Sequence, residues 1–281
     1  MQVVETALTR LLGIEHPILL APLGSAAGGR LAAAVTNAGG LGLVGSGYAN
    51  TAAIRKELAE AGNTRVGIGF ILWALEQNPA ALDVALDARP AAVMLSFGDP
   101  TPFTRRIKDA GCRIICQVQT LAQAKAAAAA GGIADGRGLA AALALGAAGV
   151  SMGTRFTASR ESLWDPAMKA ATLAAGGDQT EQTRVFDVVR GAPWPTIYPG
   201  RALRNAFSAE WHGREEILEA RQPEEEKAYL ATAPDDFATR VVWAGESVDL
   251  INDIPTASEI IERIMAQAVK TLMQGTQLVR G

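Results

Sequence analysis

Short β-rich runs alternate with helical runs along the first half of this chain, an order that predicts a parallel sheet with crossover helices. Apolar runs of this kind occupy residues 17–21, 42–45, 66–70, 92–96 and 113–118, and a helical segment follows each of them. Five consecutive units of this size favour a β/α-barrel over an open, doubly wound sheet. The length of 281 residues suits one barrel with a small additional lobe.

The alternation is interrupted after the fifth unit. The alanine-rich run 126–130 leads directly into Gly131-Gly132, and a predicted helix at 139–145 and strand at 149–152 follow. A Gly-Gly turn before a helix normally follows a strand, whereas alanine is the strongest helix former. The local sequence therefore contradicts itself at this point, and such a conflict needs an explanation.

The remaining chain predicts a division into two parts. We expect residues 1–177 and 241–281 to form the barrel, with an amphipathic helix around 260–272 packed on it. Residues 178–240 hold two tryptophans, several prolines and mixed helical stretches, so they predict a small, mainly helical lobe.

Composition excludes several classes of function. The net charge of −3 and the scattered basic residues give no sign of a nucleic-acid surface. No signal peptide and no uninterrupted membrane-length apolar stretch is visible, and no Cys/His spacing is typical of a metal site. Cys112 and Cys116 lie four apart on one predicted strand, so we expect buried free thiols and a reducing compartment. The expected location is the cytoplasm.

Two glycine-bearing segments predict a phosphate site. Gly131 and Gly132 offer bare backbone amides before a helix whose N-terminus carries partial positive charge. Gly153 and Thr154 end the next strand and add another close backbone approach and a hydroxyl donor. In β/α-barrels the last two loops of the active face frequently form such a cradle.

Several motifs together resemble the nitronate monooxygenases, also called 2-nitropropane dioxygenases. The opening of the chain carries Leu12-Gly13-Ile14, His16-Pro17-Ile18 and Ala21-Pro22-Leu23-Gly24. Further similar segments extend over nearly the whole chain, at residues 31–35, 37–42, 131–138, 146–156, 211–214 and 242–246. The resemblance implies a TIM-type β/α-barrel that binds flavin mononucleotide (FMN).

The resemblance also assigns residues. It places Ala21, Pro22 and Leu23 beside the isoalloxazine ring and makes Gln117 a flavin or ribityl contact. It assigns the cofactor phosphate to the four residues of the predicted phosphate site. Where many relatives have Asn on the third strand, this chain has Gly69, so that contact is absent.

The implied activity is oxidation of alkyl nitronates, or nitroalkanes, by molecular oxygen. The chain departs from the family pattern by lacking a sixth strand, a Glu-Ala-Gly-Gly-His segment, a sixth helix and most of a seventh strand. At roughly 30 residues per βα unit, about one and a half units or on the order of 45 residues are missing. The family's catalytic base is the histidine of that segment, so no catalytic residue is assigned.

Two other interpretations remain open. A flavin-dependent enoyl-acyl-carrier-protein reductase has a similar opening and phosphate cradle. Alternatively the chain is an inactive remnant, because six strands cannot close an eight-stranded barrel and the open edge invites oligomers or aggregation. Among single residues, His16 is interpreted as structural, His212 as a weak candidate for a replacement base, and Trp243 as either a cofactor cover or a packing residue.

Overall fold

The computed structural model describes residues 4–117 and 129–277. The chain divides into two compact units, Met1–Trp164 with Ile254–Gly281 as unit 1 and Asp165–Asp253 as unit 2. Unit 2 begins earlier and ends later than the predicted lobe at 178–240. One reason is that the Gly177 N–H group donates to an Asp249 carboxylate oxygen at 2.6 Å, which ties both flanks of the lobe together.

Unit 1 is built from parallel strands and the helices that connect them. Its strands are β1 Ile18–Leu20, β2 Leu43–Gly45, β3 Gly67–Ile71, β4 Ala92–Ser96, β5 Arg113–Cys116, β6 Ala129–Ala130 and β7 Val150–Met152. Its helices are α1 Ala7–Leu12, α2 Gly29–Asn37, α3 Thr51–Glu60, α4 Leu72–Gln77, α5 Ala80–Asp87, α6 Thr101–Asp109, α7 Gly136–Ala144, α8 Thr154–Thr157 and the C-terminal α14 Ala257–Gln277. The five predicted βα units are confirmed through β5, and the helix expected near residue 121 lies outside the described residues.

The strands follow the order of a TIM-type β/α-barrel. One parallel sheet has the order β1-β7-β6 and the other β2-β3-β4-β5, and a parallel bridge between Leu19 and Leu41 joins them. The combined order is therefore β6-β7-β1-β2-β3-β4-β5, with sequential neighbours side by side. This confirms the predicted fold class. In the described part of the chain, β5 and β6 are the two ends of the array.

The alanine run contains a strand that the helix propensity of alanine concealed. The Ala129 N–H group donates to the Gly149 carbonyl at 2.8 Å, and Ala130 lies in register with Ser151. The expectation of six strands is thus wrong, because this short seventh strand pairs in parallel with β7. Non-local hydrogen bonding outweighs local propensity here.

The core of unit 1 lies between the strands and the surrounding helices. Ile18, Ile68 and Val93 on the strands are fully buried, as expected for parallel strands covered by helices. The predicted amphipathic C-terminal helix is confirmed as α14. A Cβ at Gly136 would overlap the Ile264 carbonyl of α14, so only glycine permits this close approach of α7 and α14.

Unit 2 is a small, mainly helical body. It contains α9 Pro166–Ala174, β8 Thr180–Thr183, α10 Val185–Val189, β9 Gly200–Leu203, α11 Ala206–Trp211, α12 Glu215–Ala220 and α13 Gln222–Ala231. Strands β8 and β9 are antiparallel, and Phe186, Trp211 and Tyr229 are buried among the helices. Across both units, none of the described helices combines the length and apolarity that crossing a bilayer requires.

Candidate active site

The carboxyl ends of β6, β7 and β1 meet at one edge of the sheet. Because β7 pairs in parallel with both neighbours, the loops that leave the three strands start side by side. The Ala21 N–H group donates to the Met152 carbonyl at 2.9 Å. A Cβ built on Gly153 would lie 3.2 Å from Leu23 Cδ1 and 3.7 Å from Ala21 Cβ. The structure therefore brings two of the predicted flavin contacts to the predicted phosphate segment.

Gly131 and Gly132 follow β6 directly and complete this edge. Both are exposed and have left-handed backbones, with φ of 91° and 69°, a conformation that favours glycine. No atom lies within 4 Å of where a Cβ would stand on either residue. Within residues 4–117 and 129–277, neither backbone N–H group donates a hydrogen bond. Two adjacent amide donors are thus open to an incoming anion.

A short helix that the sequence did not reveal begins at this edge. Helix α8 has only four residues, with Gly153 as N-cap and Thr154 as first residue. Four residues are too few for an apolar period to be detected. A short extra helix after the last barrel strand commonly contributes to phosphate sites in TIM barrels.

The expected contribution of α7 to anion binding is corrected. An Asp135 carboxylate oxygen accepts from the Gly138 N–H group at 3.0 Å, and Gln267 Oε1 accepts from the Gly136 N–H group at 2.8 Å. The start of α7 is therefore occupied by the protein's own oxygen atoms. What remains available is the loop that precedes this helix.

The start of α2 is occupied in the same way. Glu57 Oε2, on α3, accepts from the Gly29 N–H group at 3.0 Å. A Cβ on Gly28 would lie 2.5 Å from the same oxygen. Because a carboxylate already lies at this helix N-terminus, a second anion would be repelled there. Unlike this helix start, the loop after β6 keeps the amides of Gly131 and Gly132 open.

The loop after β1 lies tightly on β2 and β3. A Cβ on Gly69 would overlap the Pro22 ring, so the glycine found in place of the family's Asn leaves room for this proline. A Cβ on Gly45 would lie 2.6 Å from the Gly24 nitrogen and 2.7 Å from the Leu23 carbonyl carbon. Two glycines thus permit the loop that carries the predicted ring contacts to reach its position.

Gln117 and the two cysteines lie on or beside β5. Gln117 is exposed after β5, where its N–H group donates to the Leu95 carbonyl at 2.9 Å; in strand order β5 and β6 are at opposite ends. Cys112 is buried, but Cys116 is exposed, which corrects the expectation of two buried thiols. Burial of the sulfur raises the pKa of Cys112 and, through its partial burial, that of Cys116. Both are therefore protonated at neutral pH and are poor nucleophiles.

No histidine follows a strand of unit 1. The chain has two. His16 is buried before β1, and its backbone N–H group donates to the Gly39 carbonyl at 2.9 Å. This agrees with a structural role. His212 is exposed in unit 2, with Nδ1 3.9 Å from Glu215 Oε1.

After β4, hydrogen bonds from the Thr101 side chain and backbone lower the pKa of Asp99, which makes this carboxylate a weak base.

Trp243 has a packing role within unit 2. A Cβ on Gly200 would overlap the Trp243 ring. The centroid of this ring lies 6.1 Å from the centroid of the Phe186 ring and 5.6 Å from the Arg190 guanidinium.

Unit 2 also contains a cavity of about 390 Å³, lined by residues that include Asp187 and Trp194. No cluster of potential metal ligands is found among the described residues.

A comparison with known protein families shows to which family the chain belongs. The sequence model of the family described as nitronate monooxygenase matches residues 5–66 and 127–267. The chain belongs to the nitronate monooxygenase family. This confirms the resemblance in the sequence motifs, and as a member of this family the protein is an oxidoreductase.

Relatives cover nearly the whole chain. A hydroxy-methyl-oxo-octahydro-indene-carboxyl-CoA dehydrogenase of Rhodococcus jostii is 26% identical, with 97% of this chain and 98% of the relative aligned. A nitronate monooxygenase of Paraburkholderia phytofirmans is 27% identical, with 96% and 98% aligned. The solved structure of FabK from Thermotoga maritima is 30% identical, covers 98% of this chain and 100% of its own, and has a TM-score of 0.81.

The alignments show that this family member is short. They extend over 349 and 366 positions for the two curated relatives, whereas this chain has 281 residues. The relatives therefore contain segments that have no counterpart here. This agrees with the missing segment that the family resemblance implies.

Proposed function

We propose that this protein binds FMN and oxidises alkyl nitronates with molecular oxygen. The observation that carries the proposal is the pair of open amides at Gly131 and Gly132, which directly follow β6, while β6 pairs in parallel with β7, the strand that leads to Gly153. An FMN phosphate is an anion, and convergent backbone donors are a common way for proteins to bind one. The family membership supports a flavin as the group that carries this phosphate.

The residues at this edge fit the parts of the cofactor. The amides of Gly131, Gly132 and Gly153, with Thr154, would hold the phosphate, and the loop of Ala21, Pro22 and Leu23 would lie against the ring. When bound, FMN supplies the redox chemistry between the nitronate and oxygen. The protein contributes binding, orientation and the exclusion of water from the ring.

The missing histidine segment determines which substrate form reacts. A nitronate arrives as an anion, so no residue has to remove a proton from it. A neutral nitroalkane must be deprotonated first, and a positioned general base contributes about 10²–10⁴-fold to such a step. We therefore propose that nitronate oxidation persists while turnover of the neutral form collapses. Oxygen-consumption assays with both forms test this, and equal rates on the two would reject it.

Cofactor binding is tested with two matched glycine variants. Gly131 and Gly146 have nearly the same left-handed φ, 91° and 95°, and open space around both Cβ positions. Gly146 lies between the end of α7 and the start of β7, at the amino ends of the strands. Gly131→Ala should weaken FMN binding in an absorbance titration, because its methyl group would occupy the open space at the proposed phosphate position, whereas Gly146→Ala should leave it unchanged. Wild-type protein that is colourless after incubation with excess FMN and removal of the unbound cofactor would instead support the inactive remnant.

A flavin-dependent enoyl-acyl-carrier-protein reductase is the second candidate. The observation in its favour is the likeness to FabK over the whole length of both chains. The two candidates differ in their electron donor, since the reductase would oxidise NAD(P)H in the presence of a crotonyl thioester. Thioester-dependent NADH or NADPH consumption, without nitronate oxidation, would replace the first proposal by the second.

A further inference from the structure

An aromatic pair lies at the carboxyl ends of β2 and β3. Tyr48 stands in the loop after β2, and Trp73 in the first turn of α4, directly after β3. The ring centroids are 5.6 Å apart and the ring planes are inclined by 40°, a favourable geometry for two aromatic groups. Tyr48 is nevertheless 50% exposed, so the pair presents apolar surface rather than filling the core.

The backbone holds this pair in place. Gly47 and Ala49, on either side of Tyr48, both have left-handed backbones, with φ of 55° and 58°. Such a conformation is unfavourable for alanine and persists only where the surroundings impose it. The Asn78 side chain donates to the Ala49 carbonyl at 2.9 Å. Since Asn78 ends α4, this bond ties the Tyr48 loop to the helix that carries Trp73.

The aromatic pair continues the edge where the flavin ring is proposed to lie. The Ser46 N–H group, two residues before Tyr48, donates to the Gly69 carbonyl at 3.1 Å. Gly69 in turn lies against the Pro22 ring. Contacts thus link Pro22, Gly69 and Ser46 along the carboxyl ends of β3 and β2, and Tyr48 follows Ser46 by two residues in the same loop.

We propose that Tyr48 and Trp73 bind the alkyl chain of the substrate, so that the enzyme prefers nitronates with longer chains. This inference rests on the proposed function, because the nitronate head group must lie at the flavin for its chain to reach the pair. An alkyl chain that leaves water for an aromatic surface gains about 0.8 kcal/mol per buried methylene, which corresponds to about fourfold in affinity. The aromatic pair therefore acts as a specificity element for chain length.

The first test measures kcat/KM for primary nitronates from two to six carbons. We expect a rise of about fourfold per methylene over the part of the chain that contacts the pair. Tyr48→Ala should reduce the increment to less than twofold, and Tyr48→Phe should preserve it because the ring remains. Leu145→Ala serves as the control. Leu145 is 90% exposed and follows α7, at the amino ends of the strands. An increment that is absent in the wild type, or unchanged in Tyr48→Ala, overturns the inference.

The second test does not depend on turnover. Straight-chain carboxylates are planar anions like nitronates, and calorimetry measures their binding to the full chain with and without FMN. Affinity that rises with chain length in the wild type and not in Tyr48→Ala supports the subsite even if FMN fails to bind, in which case the proposed function alone falls. Flavin binding and nitronate oxidation without any dependence on chain length leave the proposed function intact and refute the subsite.

Discussion

Gly45→Ala should loosen the loop that carries the predicted ring contacts. The new methyl group would stand 2.6 Å from the Gly24 nitrogen and 2.7 Å from the Leu23 carbonyl carbon. Carbon contacts are normally 3.5–4.0 Å, so the loop must retreat by about 1 Å. Because these are backbone atoms, no side-chain rotation can relieve the overlap. Overpacking of this kind typically costs about 1–3 kcal/mol, or about 2–4 °C in Tm for each kcal/mol.

Urea and thermal unfolding of the variant, followed by circular dichroism, measure this loss. Gly275→Ala is the matched control, since Gly275 lies in α14 with no atom within 4 Å of its Cβ position. The same substitution there should stabilise the helix by about 0.5–1 kcal/mol. FMN affinity should fall in Gly45→Ala and stay constant in the control. A Gly45→Ala protein with wild-type stability and FMN affinity would refute the described seating of the loop on β2.

Three further predictions follow from other contacts. Asp135→Ala should destabilise unit 1 by about 1 kcal/mol through loss of the α7 cap, and Asp135→Asn should retain most of it, as urea melts would show. Burial raises the pKa of Asp187 despite its ion pair with Arg190, so the folded state holds this proton more tightly than the unfolded state. Its contribution to stability is then present at acidic pH and is lost as the pH rises through the folded pKa, and Asp187→Asn should flatten that part of the pH–stability curve. A maleimide should modify exposed Cys116 before buried Cys112, with a rate that increases above neutral pH; mass spectrometry of Cys116→Ser, in which the fast reaction should vanish, checks the assignment.

The βα units could be predicted because each is encoded locally. The strand at 92–96, for example, is an apolar run between turn residues and coincides with β4. Asn50, a residue type typical of the position before a helix, caps α3 through its side chain. Such signals depend on neighbouring residues only, so they can be recognised without knowledge of the tertiary structure.

The remaining features depend on distant parts of the chain. Ala129–Ala130 forms a strand only because β7 offers it a partner, which no local propensity records. The Tyr48–Trp73 pair joins residues from two separate βα units. By contrast, the sequence does signal that a side chain caps the N-terminus of α7, since Asp135 stands at a typical N-cap position three residues before Gly138.

The strand order of unit 1 has a consequence for its motions. A closed ring holds every strand from two sides, whereas an array with two ends does not restrain its members equally. In the described part of the chain, β5 pairs with β4 alone, and its residues are at most half-buried. Amide hydrogen exchange should therefore be faster in β5 and in β6, which among the described strands pairs with β7 alone and is likewise not buried, than in β1, β2 and β3, where pairing on both sides and burial coincide. Local opening would then begin at the two ends of the array, and because Gly131 and Gly132 follow β6 directly, an anion bound to them would restrain one of these ends.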